Sequence, residues 1–170
     1  MTAHVYLGHG ASGNAASMKP HVDGLRKRGI EATALDLPKG NAQRAMEKIV
    51  ATVPIAAGDV VIGGHSYGGR VASMVAAEHA VAGLVLLSYP LHRPGHPEEL
   101  KTEHWKTIRC PVLLLSGESD PFATIALLRR SVKLLRDAEL FTYPRVGHGL
   151  APVLDDALDR VAGFVKGLAG

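Results

Sequence analysis

The sequence has little that could crosslink the chain or anchor it in a membrane. Cys110 is the only cysteine among the 170 residues, so no disulfide can form within the chain. It precedes the apolar run PVLLL and is expected to be a packed, unreactive thiol. Nowhere do about 18 apolar residues follow one another, and the first residues, MTAHVY, lack the basic start and apolar stretch of a secretory signal. We expect a cytoplasmic protein without membrane contacts.

A strong charge of one sign is also lacking. The 19 lysines and arginines exceed the 16 acidic residues by three, giving a formal net charge of +3. The basic residues are scattered along predicted helices, so a nucleic-acid-binding surface is not expected. With 46% hydrophobic and 21% charged residues, the composition is that of a globular protein, and residues 1–170 are expected to form a single domain.

Short apolar runs alternate with longer amphipathic stretches, a pattern typical of βαβ units and a parallel sheet. The predicted strands are Ala3–Leu7, Ala32–Leu35, Val60–Gly63, Leu84–Leu87, Val112–Ser116 and Glu139–Tyr143. The predicted helices are Asn14–Arg28, Ala42–Thr52, Tyr67–His79, Ala123–Leu135 and Val153–Leu168, with a short one near Glu98–Trp105. Helices should cover both faces of the sheet, and ligand chemistry should lie where the carboxyl ends of the strands meet.

The segment GGHSYGG follows the third predicted strand and opens a helix, and it contains the G-x-S-x-G pattern. In such an elbow a strained turn presents the serine, here Ser66, above the sheet edge. The backbone N–H of Tyr67 would then face a negative charge that develops beside the serine. On the motif alone, a serine that only caps the helix is equally compatible.

An acidic residue and a histidine each follow a later predicted strand, just as Ser66 follows the third. Asp120 lies in the loop after the fifth strand, where a carboxylate can orient a histidine; Glu118 could do so chemically, but Asp120 is better placed. Asp120 would also suit a helix cap. His148 lies between glycines after the last strand. The chain order Ser66, Asp120, His148 is that expected of a nucleophilic triad. The other histidines show no metal-site spacing, so neither a metal nor a cofactor is predicted.

The segment GHGASG at residues 8–13 also satisfies the dinucleotide pattern G-x-G-x-x-G, and Asp36 follows at the end of the next strand. A nicotinamide-binding oxidoreductase is therefore an alternative, although it leaves Ser66, Asp120 and His148 unexplained. The triad hypothesis uses the same loop, because the N–H of Ala11 would serve as the second oxyanion donor.

Together these motifs resemble the α/β-hydrolase superfamily over nearly the whole chain. The segment LSYPLH at residues 87–92 makes the chain most similar to small dienelactone-hydrolase-like predicted hydrolases. Two departures are the absence of the family's first antiparallel strands and Ser66 in place of the cysteine of dienelactone hydrolases proper. The resemblance implies a minimal α/β-hydrolase fold of about six parallel strands, with Ser66 as nucleophile, His148 as base and Asp120 as its orienter.

Only residues 88–109 separate the fourth and fifth predicted strands, which leaves no room for a cap domain. This segment should wall an open pocket, with Tyr89 and His92, together with His9 of the first loop, as substrate-binding residues. A small ester or thioester is the expected substrate. A non-catalytic partner-binding protein on the same fold is the other alternative. The sequence leaves open whether the bond is an ester, thioester or amide, and whether the protein is a homodimer.

Overall fold

A computed structural model describes residues 2–168 and shows one sheet of six parallel strands. The strands are His4–Gly8 (β1), Ala32–Ala34 (β2), Val60–His65 (β3), Gly83–Leu87 (β4), Val112–Gly117 (β5) and Ala138–Tyr143 (β6). They lie in the order β2-β1-β3-β4-β5-β6. The predicted fold class is confirmed. The strand order reverses beside β1, which opens a crevice between the carboxyl ends of β1 and β3.

Within the described residues there are five α-helices, four between successive strands and one after the last strand. They are Lys19–Lys27 (α1), Ala42–Thr52 (α2), Tyr67–Glu78 (α3), Ile125–Ser131 (α4) and Leu154–Leu168 (α5). The predicted first helix is divided, because Asn14 caps a 3-10 turn at Ala15–Met18 and α1 begins only after it. None of these helices combines the length and the apolar character that a membrane span needs.

The predicted short helix near Glu98–Trp105 is wrong. Successive turns carry the chain through residues 93–105, and the helical turn that follows is a 3-10 turn at Trp105–Thr107. The fully buried Trp105 packs edge-on against Tyr89, with 5.0 Å between ring centroids. This aromatic contact holds the segment against the protein body in an irregular path, as its prolines favour.

Two apolar layers enclose the sheet, as predicted for helices on both faces. On one face Val22 and Leu25 of α1 and Val161 of α5 pack on alternate strand residues such as Val61 and Val85. On the other face, residues of α2, α3 and α4 pack on the intervening strand positions; they include Ile49, Val71, Val75, Leu128, Ile62, Leu84 and Leu114. The alternation fixes the register, since a shift by one residue would reverse both faces.

Three glycines let β1, β3 and α3 meet closely at the crevice. A Cβ atom on Gly68 would overlap the backbone of Gly8, and one on Gly64 would overlap the carbonyl oxygen of Gly8. Backbone contact this close cannot be relieved by moving a side chain. The glycines of the serine motif are therefore required by packing at the point where Ser66 is presented.

Candidate active site

Ser66 lies in a strained turn between β3 and α3. Its backbone dihedrals are φ 49° and ψ −117°, a conformation that residues with a Cβ rarely adopt. The turn is held because the Ser66 N–H donates to the carbonyl oxygen of Leu87 at 2.8 Å, and the Arg70 N–H donates to Ser66 O at 3.0 Å. The side chain is half-buried and borders a surface cavity.

A chain of two hydrogen bonds joins Ser66, His148 and Asp120. The Nδ1 of His148 lies 2.8 Å from Oδ2 of Asp120, and its Nε2 lies 2.9 Å from Oγ of Ser66. A carboxylate accepts only, so Nδ1 carries the proton and Nε2 of the neutral imidazole is left to accept from the serine hydroxyl. The structure thus brings the three residues together in the arrangement that proton transfer from a serine requires.

Asp120, and not Glu118, faces His148. The Asp120 side chain is fully buried, and its second oxygen accepts from the N–H of Phe122 at 2.8 Å. Glu118 instead accepts from the Thr142 hydroxyl at 2.8 Å and lies 3.9 Å from Arg129. The loop can turn this way because Gly117 packs against the backbone at Val146, where a Cβ atom would overlap the Val146 carbonyl oxygen.

Two further rings lie against His148. Phe122 stacks on the imidazole, with 4.3 Å between centroids, and His65 lies tilted at 5.5 Å. Burial lowers the pKa of His65 to about 4, and the nearby His148 makes a smaller contribution in the same direction. His65 is therefore neutral near pH 7 and presents no positive charge to an imidazolium formed on His148.

The two expected oxyanion donors are placed at the same end of the sheet. Ala11 lies in a turn closed by the Gly13 N–H donating to Gly10 O at 3.0 Å, and it borders the same cavity as Ser66. Tyr67 is the first residue of α3, so its N–H has no acceptor within the helix. The Tyr67 hydroxyl donates to Pro38 O at 2.6 Å, which fixes the orientation of the side chain.

The cavity beside Ser66 has a volume of about 560 Å³. Among residues 2–168, none of those that line it is an Asp, Glu, Lys or Arg. Its walls come from three segments, the loop after β1, the start of α1 and the loop after His148, and their apolar residues include Met18, Pro20, Leu150, Ala151 and Leu154. His21 and Phe122 also line it. These wall residues were not predicted from the sequence, although Leu150 and Ala151 lie directly after the glycine-flanked His148 and so belong to a loop that the motif marks.

His9 does not fulfil the expected substrate-binding role. Its side chain is fully buried, its Nε2 accepts from the Leu37 N–H at 2.9 Å, and its Nδ1 lies 2.8 Å from Gly10 O. Both ring nitrogens are therefore occupied by backbone groups. His9 shapes the loop that carries Ala11 and does not line the cavity.

Tyr89 and His92 are likewise wrong as pocket residues, and the segment 88–109 does not wall the cavity. Tyr89 is 2% exposed, its hydroxyl donates to Lys101 O at 2.6 Å, and burial raises its pKa to about 12. His92 is also buried, and its Nε2 accepts from the Thr124 N–H at 3.0 Å. Both side chains point into the protein, because each forms a hydrogen bond with a buried backbone group.

The residues of the dinucleotide pattern have other structural tasks. Gly8 packs against Gly68, and the carboxylate of Asp36 accepts from the Ala15 N–H at 3.2 Å. The loop leads to a 3-10 turn, whereas a dinucleotide fold begins a helix directly after its glycines. The strand order also differs from the 3-2-1-4-5-6 order of that fold. These observations give the oxidoreductase alternative no support.

One group of side chains within residues 2–168 could offer three ligand atoms to a metal ion. It consists of His96, Glu98 and Glu99, whose ligand atoms lie within 4.8 Å of one another. Glu99 is already held by Arg93, with an N···O distance of 2.8 Å, and this ion pair lowers the pKa of Glu99. The group is a surface ion-pair cluster, and none of its three residues lines the Ser66 cavity.

Known structures share this architecture. The monoacylglycerol lipase of Paleococcus ferrophilus superposes with a TM-score of 0.83 at 16% identity, covering 96% of this chain and 94% of that one. Est1E from Butyrivibrio proteoclasticus gives a TM-score of 0.82 at 17% identity, with coverages of 99% and 88%. A putative non-heme bromoperoxidase from Mycobacterium tuberculosis gives 0.80 at 14% identity, with coverages of 98% and 93%. At these identities the likeness shows the fold.

Sequence comparison finds a relative that matches a short part of the chain and a family that matches most of it. The non-heme chloroperoxidase of Burkholderia pyrrocinia is 44% identical over 62 residues, which are 35% of this chain and 22% of that protein. This chain therefore matches about a fifth of that relative's length. The narrower resemblance to dienelactone-hydrolase-like members stays a prediction. The family model of the alpha/beta hydrolase domain matches residues 1–160, and by this match the chain belongs to the α/β-hydrolase family.

Proposed function

We propose that the protein is a serine hydrolase that cleaves a small ester or thioester through an acyl-enzyme on Ser66. The observation that carries the proposal is the continuous hydrogen-bond chain from Ser66 through His148 to the buried Asp120, at 2.9 and 2.8 Å. A serine, a neutral imidazole and a carboxylate in this order can activate the hydroxyl as a nucleophile.

In the first half of the reaction, Ser66 Oγ attacks the carbonyl carbon while Nε2 of His148 takes the hydroxyl proton. The carbonyl π electrons move to oxygen, and the N–H groups of Ala11 and Tyr67 stabilise this oxyanion. When the intermediate collapses, the bond to the alcohol or thiol breaks, and His148 gives its proton to that leaving group. Asp120 stabilises the transient imidazolium and remains ionised.

In the second half, water replaces the departed alcohol. His148 takes a proton from the water, the resulting hydroxide attacks the acyl carbon, and a second tetrahedral intermediate forms. Its collapse breaks the bond to Ser66 Oγ, which recovers a proton from His148. The acid product leaves and the free enzyme is restored, with no cofactor consumed.

The cavity supports substrates with a neutral, apolar acyl group. No Asp, Glu, Lys or Arg of the described part of the chain lines it, and Met18, Phe122, Leu150 and Leu154 give it an apolar surface. An anionic acyl group would lose hydration there without gaining a cationic partner. The structural neighbour named a monoacylglycerol lipase and the ferulic acid complex of Est1E support ester chemistry in general, but at 16% and 17% identity they do not select a substrate.

The non-catalytic alternative accounts poorly for this geometry. A partner-binding protein has no need for a strained serine, a buried carboxylate and an imidazole aligned between them. Strain and buried charge both oppose stability, so their retention is better explained by chemistry. Catalysis is therefore the role that we propose for Ser66, His148 and Asp120.

Steady-state hydrolysis of 4-nitrophenyl acetate tests the proposal. Ser66→Ala should lower kcat/KM by several orders of magnitude. Ser119→Ala is the matched control, because Ser119 is an exposed serine that lies outside the cavity, and it should retain wild-type rates. Near wild-type turnover by Ser66→Ala would refute the assignment of Ser66 as the nucleophile.

A further inference from the structure

A second cavity lies at the amino ends of the strands, at the opposite end of the sheet from Ser66. Its lining includes Val81 just before β4, Arg109 and Cys110 just before β5, and Arg136 just before β6. In a parallel sheet these amino ends are far from the carboxyl ends that carry the triad. The volume of this cavity, about 610 Å³, is in the range of small-molecule sites.

This basic cavity gathers three cationic side chains, Lys106, Arg109 and Arg136, all of them exposed. Within residues 2–168, none of the three forms an ion pair with a carboxylate. Among the described residues that line the cavity, Glu78 is the single acidic one. Several unpaired cations around one concavity create a positive potential that attracts anions.

The end of α3 does not account for all of this charge. The carbonyl end of a helix carries about half a negative charge, which favours nearby cations. That partial charge and Glu78 offset part of the three positive charges, and Asp137, whose carboxylate acts on Cys110, offsets a further part. The remainder is concentrated where Lys106 and two guanidinium groups border a cavity that also has an apolar surface, formed by Ala76, Ala77 and Val81.

We propose that the basic cavity binds an organic phosphate, with its phosphate groups on Lys106, Arg109 and Arg136 and its organic part against the apolar surface. Guanidinium groups match phosphate oxygens in a bidentate manner, and lysine adds a compact charge. Three cations suit a ligand with more than one negative charge, such as a nucleoside diphosphate. The site would lie apart from the triad, so its ligand would be neither substrate nor product of the proposed reaction.

Isothermal titration calorimetry with ADP, and separately with inorganic pyrophosphate, tests this site. ADP should bind in a one-to-one ratio with a dissociation constant of about 1 mM or below. Pyrophosphate, which lacks the organic part, should bind more weakly. Arg109→Ala and Arg136→Ala should each weaken ADP binding about tenfold. Lys39→Ala removes an exposed cation beyond the carboxyl end of β2 and should leave the affinity unchanged.

The wild-type chain offers a second measurement, which does not depend on the folding of any variant. Cys110 is the only cysteine and lines the basic cavity, and burial raises its pKa to about 11, so its alkylation by iodoacetamide is slow and should be followed at alkaline pH, where bound ADP should slow it further. Absence of ADP binding at millimolar concentration, or binding that survives combined replacement of the three cations, would overturn the proposal. Equal affinity for pyrophosphate and ADP would overturn the role given to the apolar surface.

Discussion

The ring of Phe122 lies on the imidazole of His148, with 4.3 Å between centroids and 29° between planes. The N–H of Phe122 also donates to the carboxylate of Asp120 at 2.8 Å. One residue therefore touches both partners of the hydrogen bond that orients the imidazole. This makes Phe122 a positioning residue for the proposed base, in addition to a wall of the cavity.

Phe122→Ala should lower kcat for a 4-nitrophenyl ester about tenfold, since the stacking contact that restrains His148 is lost. KM should change less than kcat, because the substrate keeps its other apolar contacts. Phe141→Ala is the control, since Phe141 packs on Tyr143 and Arg160 at the sheet edge and should not affect turnover. A rise in KM with unchanged kcat would reduce Phe122 to a wall of the cavity.

Asp120→Asn should reduce turnover by about 10⁴, the loss seen when the aspartate of a serine protease triad is neutralised. The amide would stabilise the wrong tautomer of His148 and could not balance its positive charge. Glu118→Gln should leave turnover near wild type, because Glu118 contacts Thr142 and Arg129 instead. The opposite ranking in parallel kinetic assays would contradict the assignment of the acid.

His65 should make the folded state lose stability in mild acid. Burial lowers its pKa from 6.5 to about 4. Between these two pH values the unfolded chain binds a proton that the folded chain does not, so stability is lost as the pH falls through this window. Urea unfolding of wild type and His65→Gln should show that the wild type loses about 2 kcal/mol more between pH 7 and pH 5. Parallel curves would mean that His65 is not titrating as described.

Acyl charge should decide which esters are turned over. The mono-4-nitrophenyl ester of succinate should have a kcat/KM about tenfold below that of 4-nitrophenyl butyrate, because its carboxylate enters a cavity without a cation. Leu154→Arg places a cation in the wall and should narrow this difference. Equal rates for the two esters in the wild type would indicate that the acyl group lies elsewhere.

The sequence could predict that Ser66, Asp120 and His148 lie close together, because their placement depends on strand ends. Ser66, Asp120 and His148 each follow a strand, and the carboxyl ends of β3, β5 and β6 necessarily share one edge of a parallel sheet. The chemical choice of Asp120 over Glu118 also rested on local position in one loop. Such inferences need only the order of the elements.

The cavity walls could not be predicted in the same way. Which side chains line a pocket depends on loop paths, and these depend on partners that are distant in sequence. His92 turned inward to Thr124 and His9 to Leu37, contacts 32 and 28 residues apart in the chain. Conversely, His21 lines the cavity from the first turn of α1. The 3-10 turn that precedes α1 and places His21 there could not be predicted from the periodicity of the sequence.

The central claim is that Ser66 is a nucleophile activated by His148, and covalent labelling tests it most directly. The purified protein should be incubated with a fluorophosphonate, and the modified peptide should be identified by mass spectrometry. The account predicts one adduct, on Ser66, that is absent from Ser66→Ala and strongly slowed in His148→Ala. An unlabelled wild-type protein, or an adduct on another residue, would contradict it.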